Sequence, residues 1–169
     1  MSICHVSELP ADKAKYWKRA GIVLYKLVGT VPTGGVGIRL AFGIDRESGD
    51  ISNFAGKPLK YADKNILDTA VREFEEESLG VFDRVNKAQL QDSVVIYNDN
   101  EIIIFYRMNF NEKEIQAKFA RVATSSSEMK KIYFCNVEEL IDSMAPSKNG
   151  STAPIMYDRV RDLIAGTGR

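Results

Sequence analysis

Histidine is nearly absent from this 169-residue chain, and cysteine and tryptophan are scarce: His5 stands alone, beside Cys4, Cys135 and a single Trp17. One histidine supplies neither a Ser-His-Asp triad nor a zinc site. The two cysteines lack metal-site spacing and form no disulfide framework, so reduced thiols in a cytoplasmic compartment are the simpler expectation. Net charge is absent too, with 23 basic against 23 acidic residues, so no global positive field advertises nucleic acid or an anionic membrane. No apolar run approaches the ~20 residues of a spanning helix, and no apolar signal core opens the chain, so a soluble protein with no membrane partner is expected. Gly34-Gly35 lacks the lysine and Ser/Thr of a phosphate-binding loop, which excludes that class of kinase or ATPase. Repeats and low-complexity segments are missing as well.

What is present is an ordinary globular composition of a length that suits one domain over 1–169. Apolar, β-branched or aromatic runs predict strands at 20–25, 36–44, 93–97, 101–109 and 131–135, with Asn98-Asp99-Asn100 as a hairpin turn. Thr33-Gly34-Gly35 and residues 46–50 punctuate the early strands, and 146–151 reads as a loop. Helical patterns cover 111–122, 137–144 and 154–164. The clearest helix runs over 66–78, with Asn65 as N-cap, Asp68 in near capping-box position and Gly80 as C-terminal cap. Its apolar stripe is Leu67, Ala70, Val71 and Phe74, continued by Ser78. Strands in runs around a few helices give the α+β class.

That helix carries the chemistry. Glu73, Glu76 and Glu77 are spaced i, i+3 and i+4, which stacks three carboxylates on one face while Glu75 points to solvent. They repel one another, and they lie in the half of the helix where the macrodipole disfavours negative charge. Only a cation relieves such a cluster, and hard oxygen ligands suit Mg²⁺ (or Mn²⁺) rather than zinc. A solvated acidic face is the plain alternative on charges alone.

The surrounding residues decide between the two. Gly56, then Arg72-Glu73-Phe74-Glu75-Glu76-Glu77, then Gly80, resemble the Nudix box, G-x5-E-x7-R-E-U-x-E-E-x-G-U with U apolar. The R-E-U-x-E-E core arises by chance in roughly a few windows per million at average residue usage. The resemblance implies a Nudix-type α/β/α sandwich with a mixed β-sheet between helices. It implies Glu73, Glu76 and Glu77 as metal ligands, Gly56 and Gly80 as structural glycines, and Arg72 as the arginine that orients the carboxylates. The chain departs from the pattern twice. The loop between Gly56 and Arg72 is two residues longer, which puts Lys64 where the family has its first glutamate, with Asp63 as a substitute. One extra residue also precedes Gly80.

Members of the family recruit a further glutamate as ligand or base. Glu128, just before the strand at 131–135, is the first candidate, Glu76 could itself serve, and Glu101 reads as a surface residue. Lys57, Arg39 and Arg19 are candidates to neutralise substrate phosphates. Trp17, Tyr25, Tyr97 and Phe105 could stack on a base but suit packing better, and Lys13, Lys15, Lys18 and Arg19 suit a solvated helix face. The implied activity is Mg²⁺-dependent hydrolysis of a diphosphate in a nucleoside diphosphate linked to another moiety: a nucleotide, a nucleotide sugar, a dinucleotide or a capped RNA end. The partner is then a small nucleotide-type molecule. Net charge gives capped RNA no support, and a homodimer is compatible with the family. The alternative is a Nudix-fold nucleotide-binding module without catalysis.

Overall fold

The computed structural model describes residues 1–30, 35–145 and 154–166. Strands β1 (Ser2–His5), β2 (Ala20–Thr30), β3 (Val36–Asp45), β4 (Ile51–Ser52), β5 (Phe54–Gly56), β6 (Val94–Tyr97), β7 (Ile102–Arg107) and β8 (Met129–Cys135) form one sheet. Its order is β1-β6-β7-β2-β3-β4, with β5 also on β2 and β8 also on β3. β2 and β7 run parallel and the other pairs antiparallel, so the sheet is mixed. The helices are α1 (Ala11–Lys15), α2 (Ile66–Glu77), α3 (Lys87–Leu90), α4 (Glu112–Val122), α5 (Val137–Met144) and α6 (Asp158–Ala165).

Strand alternation sorts the apolar residues onto two faces. Ile22, Leu24 and Ile104 face α2, α3 and α4, meeting Phe74, Leu90 and Phe119. Val23, Phe42 and Ile103 face the other way, onto Leu140 of α5 and Val160 and Leu163 of α6. Helices therefore cover both faces, and the α+β sandwich expected from the sequence is the observed architecture. No helix among the described residues is long and apolar enough to cross a membrane.

One detail of the sheet positions the site. The first residues of β2 pair with β5, Ala20 opposite Gly56, while its later residues pair with β3, Leu24 opposite Ala41. The short strands β4 and β5 thus fill the wedge where β2 and β3 diverge, which brings Ala55 and Gly56 against α2. The fit is close: a Cβ on Gly21 would collide with Ala55.

Several sequence expectations shift. The amino terminus, where no strand is predicted, is tied into the sheet: β1 pairs with β6, and His5 Nδ1 lies 2.9 Å from the Asp92 carbonyl. β1, β4, β5 and α1 span two to five residues, too short for a periodic signal. The last helix starts at Asp158, and the loop expected at 146–151, like Thr33 and Gly34, lies outside the described residues.

Candidate metal and phosphate site

The site starts at the two ends of α2. Asn65 caps the first turn by accepting from the Asp68 N–H at 3.0 Å. Asp68 returns the bond to Lys64 N, one residue earlier than a capping box requires, and its other oxygen takes Lys87 Nζ at 2.8 Å. At the far end Leu79 N donates to the Glu76 carbonyl at 3.3 Å and Gly80 N to the Glu75 carbonyl at 3.0 Å, a Schellman closure. The extra residue before Gly80 lengthens this closure to two left-handed positions, Leu79 taking the first at φ 58 and Gly80 the second at φ 67. Phe74 anchors the helix, 5.4 Å edge-on from Phe54 and 5.5 Å from Phe82.

Arg72 organises the polar face. Its Nη2 donates to Asp63 Oδ2 at 2.8 Å and to the Lys57 carbonyl at 3.0 Å, and its Nη1 to Glu73 Oε1 at 2.7 Å and Glu76 Oε2 at 3.1 Å. Asp63, its side chain only 3% exposed, also accepts from Leu59 N and Thr69 Oγ1, both at 2.9 Å. The Arg72 guanidinium holds the Asp63 carboxyl down at about 2, and Asp63 in turn raises Arg72 above its usual range. Of the two residues at the box's first-glutamate position, then, Asp63 faces Arg72, while Lys64 is exposed. Thr69 is fully buried and takes the Trp17 indole N–H at 3.0 Å, which extends the chain of bonds to Trp17-Thr69-Asp63-Arg72.

The carboxylates differ in their surroundings. Glu77 is buried, accepts from Ala55 N at 3.1 Å and lies against Glu128; burial, then Glu128 and Glu73, push its carboxyl up to about 9. Glu73 is raised as well, by burial first, although Arg72 pulls it down. Its carboxylate sits directly on Gly56, where a Cβ would overlap it. Gly56 therefore serves close approach, not a special backbone turn. Glu76 is 58% exposed and, among the described residues, held by Arg72 alone. Among the described residues no three acidic, histidine or cysteine side chains already form a closed ligand set, since Glu73 and Glu76 are turned onto Arg72. The donors are all oxygen, and Glu77 has both Glu128 and Glu73 close to it, with Arg72 paired to Glu73 alone of the three; this is the chemistry a hard divalent ion fits.

The other sequence candidates separate clearly. Glu128 does join Glu77. Glu101, expected at the surface, is buried instead: Arg159 Nε lies 2.5 Å from Oε2, and Asn53 donates to Oε1 at 3.3 Å. Lys57 lends its carbonyl to Arg72 and leaves its side chain exposed at the rim. Arg19 Nη2 donates to the Ala55 carbonyl at 2.7 Å, so it braces the residue whose N–H holds Glu77, from the peptide on its other side. Arg39 is not brought to the site. It pairs with Glu112 at 2.6 Å and Glu139 at 3.5 Å, opposite Lys26 on β2, roughly 20 Å along the strand from the Ala20–Gly56 pair. An open cleft of about 670 Å³ lined by Lys26, Phe110 and Glu112 also lies away from the box carboxylates, none of which lines it. Trp17 and Tyr97 pack on one core and Tyr25 and Phe105 on the other.

Thr69 and the Ala55 peptide went unforeseen. Thr69 falls on the buried stripe of α2, and a backbone amide leaves no mark in a sequence. The one available signal for Thr69 was a hydroxyl among apolar neighbours at helical spacing.

No family model matches the chain, and no curated protein matches it. Among solved structures it is similar to a C. elegans Ap4A hydrolase binary complex, at 14% identity and TM-score 0.45, covering 89% of this chain and 93% of that one. It is also similar to Shewanella oneidensis NrtR complexed with a 27mer DNA, at 11% identity and TM-score 0.43, over 89% of this chain and 58% of that one. Likenesses of this size carry no argument about what the chain does.

Proposed function

We propose that the chain is a Mg²⁺- or Mn²⁺-dependent hydrolase of Nudix type that cuts a diphosphate linkage in a nucleoside diphosphate joined to another moiety. One observation carries the reading: Glu77 of α2 is buried, is held by the Ala55 N–H at 3.1 Å, and lies against Glu128 with Glu73 beside it. Carboxylates gathered in this way, on a helix end that disfavours negative charge, are relieved by a divalent cation. Glu73, Glu76 and Glu77 would hold the ion. When bound, the ion supplies charge neutralisation on the diphosphate and a more acidic attacking water.

The chain's own groups do the rest. Glu128, exposed beside Glu77, would accept the water's proton, with Glu76 as the second candidate. Arg72 orients Glu73 and Glu76 and is itself fixed by Asp63. The Ala55 N–H and Gly56 set the rotamers of Glu77 and Glu73. Lys57 stands at the rim for phosphate charge.

A binding-only module is the second reading, favoured by the way Arg72 already occupies Glu73 and Glu76. A panel of nucleoside diphosphate derivatives with Mg²⁺ separates the two, run with wild type, Glu77→Gln and Glu128→Gln and paired with Mn²⁺ titration followed by electron paramagnetic resonance. Losses on the order of 10²-fold in turnover in both variants, and of Mn²⁺ affinity in Glu77→Gln, are expected. Nucleotide binding without turnover by wild type establishes the module instead.

A further inference from the structure

The loop that leads from the site into α2 has an unusual surface for a neutral protein. Residues 57–64 carry Lys57, Lys60 and Lys64, all exposed, and none of the three forms an ion pair among the described residues. Tyr61, 95% exposed, sits among them with the Lys60 Nζ 5.7 Å from its ring centroid, and Leu59 is half-exposed beside it. Packing explains none of this. The loop is nonetheless fixed at both ends: Arg72 holds the Lys57 carbonyl, and Asp63 holds Leu59 N while its own N–H returns to the Leu59 carbonyl at 2.9 Å.

A second segment of the same character is fastened alongside. Trp17 bonds to Thr69, and Thr69 to Asp63, so residues 15–18 lie against the first turn of α2, where the loop ends. They present Lys15, Lys18 and Tyr16, the tyrosine 73% exposed with Lys15 Nζ 5.4 Å from its ring. Lys18 donates to Asn100 Oδ1 at 3.0 Å and lies near the exposed Asp99, which Lys13 pairs directly. Two lysine–tyrosine segments therefore frame one edge of the carboxylate site, each tied by hydrogen bonds to the Asp63–Arg72 pair.

Mobile cations beside exposed aromatic faces hold single-stranded nucleic acid, because every base has a face to stack and every linkage a charge. We propose that residues 57–64 and 15–18 bind a single-stranded nucleic-acid chain whose 5′-terminal diphosphate enters the carboxylate site. This rests on the hydrolase reading for the end of the strand, though not for the strand's binding. It narrows the substrate class from small nucleotides to a polynucleotide terminus, against the expectation from net charge, because the charge that matters is local.

The test is fluorescence anisotropy of a 3′-labelled oligoribonucleotide of about 12 nucleotides with a 5′-diphosphate, in EDTA and over a range of salt. Wild type should bind with a log–log salt slope of about −2, and Lys60→Ala/Lys64→Ala should flatten that slope by about 1. Tyr61→Ala should weaken binding about tenfold with its salt slope unchanged. No binding at low salt, or an unaltered slope in the double variant, overturns the proposal. Inorganic polyphosphate binding as tightly as the oligonucleotide, with Tyr61→Ala without effect, overturns it too and leaves a bare polyanion patch; anionic vesicles bound in preference to the strand overturn it in favour of a membrane. Turnover by wild type with Mg²⁺, measured on the small-molecule panel and on the 5′-diphosphate oligonucleotide itself, keeps the two readings apart. Strand binding without turnover leaves this inference standing and removes the hydrolase, and turnover without strand binding does the reverse.

Discussion

Asp63 and Gly56 show how single residues set the site's geometry. Asp63 is nearly buried and receives Arg72, Thr69 and Leu59 N. Its folded carboxyl lies at about 2, below its ordinary 3.8, so its stabilisation is complete above the unfolded value and is lost as pH falls through about 2. The shift corresponds to roughly 2 kcal/mol at neutral pH. Urea melts of wild type and Asp63→Asn between pH 2 and 6 should converge at the acid end and separate by about that amount at the other. Gly56→Ala makes a different prediction. Its methyl group overlaps the Glu73 carboxylate, so Mn²⁺ affinity should fall by about tenfold or more while circular dichroism stays native. Unchanged Mn²⁺ affinity would show that the Glu73 carboxylate can move away without loss.

At the scale of elements, α2 was legible because a capped, strongly periodic helix writes its core stripe into the sequence, and the acidic spacing lies on that same helix. Its partners were not. β4 and β5 are too short to show alternation, yet they carry the Ala55 amide and Gly56. Asp63 reads in the sequence only as a substitute beside Lys64, because a loop two residues longer than the pattern shifts the expected position. Arg39 and Glu101 were misread for one reason: a charged side chain's partner is chosen by tertiary packing, and their partners sit far off in sequence, on α4, α5 and α6. Arg39→Ala should therefore act as a break between β3 and the helices α4 and α5. A lower melting temperature, with KM for any turned-over substrate within about twofold of wild type, is the expected result, since surface and half-buried pairs contribute on the order of 1 kcal/mol. A large rise in KM would return Arg39 to the substrate.

The whole molecule is two cores separated by one sheet, and the thiols sample it unevenly. Cys135 is fully buried in the core beneath α5 and α6, where burial pushes its thiol up to about 12, while Cys4 lies part-exposed on β1 at the edge of the sheet. Burial and Glu8 raise the Cys4 thiol too, but native protein should still alkylate at Cys4 first, with Cys135 reacting only through opening of the second core. Mass spectrometry of a time course with iodoacetamide, with and without low urea, reads this directly; equal rates at the two positions would mean that the second core opens as easily as the edge.

Trp17 is the chain's single indole, and its N–H ends on Thr69, two hydrogen bonds from the guanidinium that holds Glu73 and Glu76. The protein thereby carries its own optical reporter. If a divalent ion draws those carboxylates off Arg72, the tug passes along the Asp63–Thr69 link to the chromophore, and tryptophan emission should change in step with Mn²⁺ or Mg²⁺ saturation. The same titration in Thr69→Val, where the link is cut, should leave the emission flat.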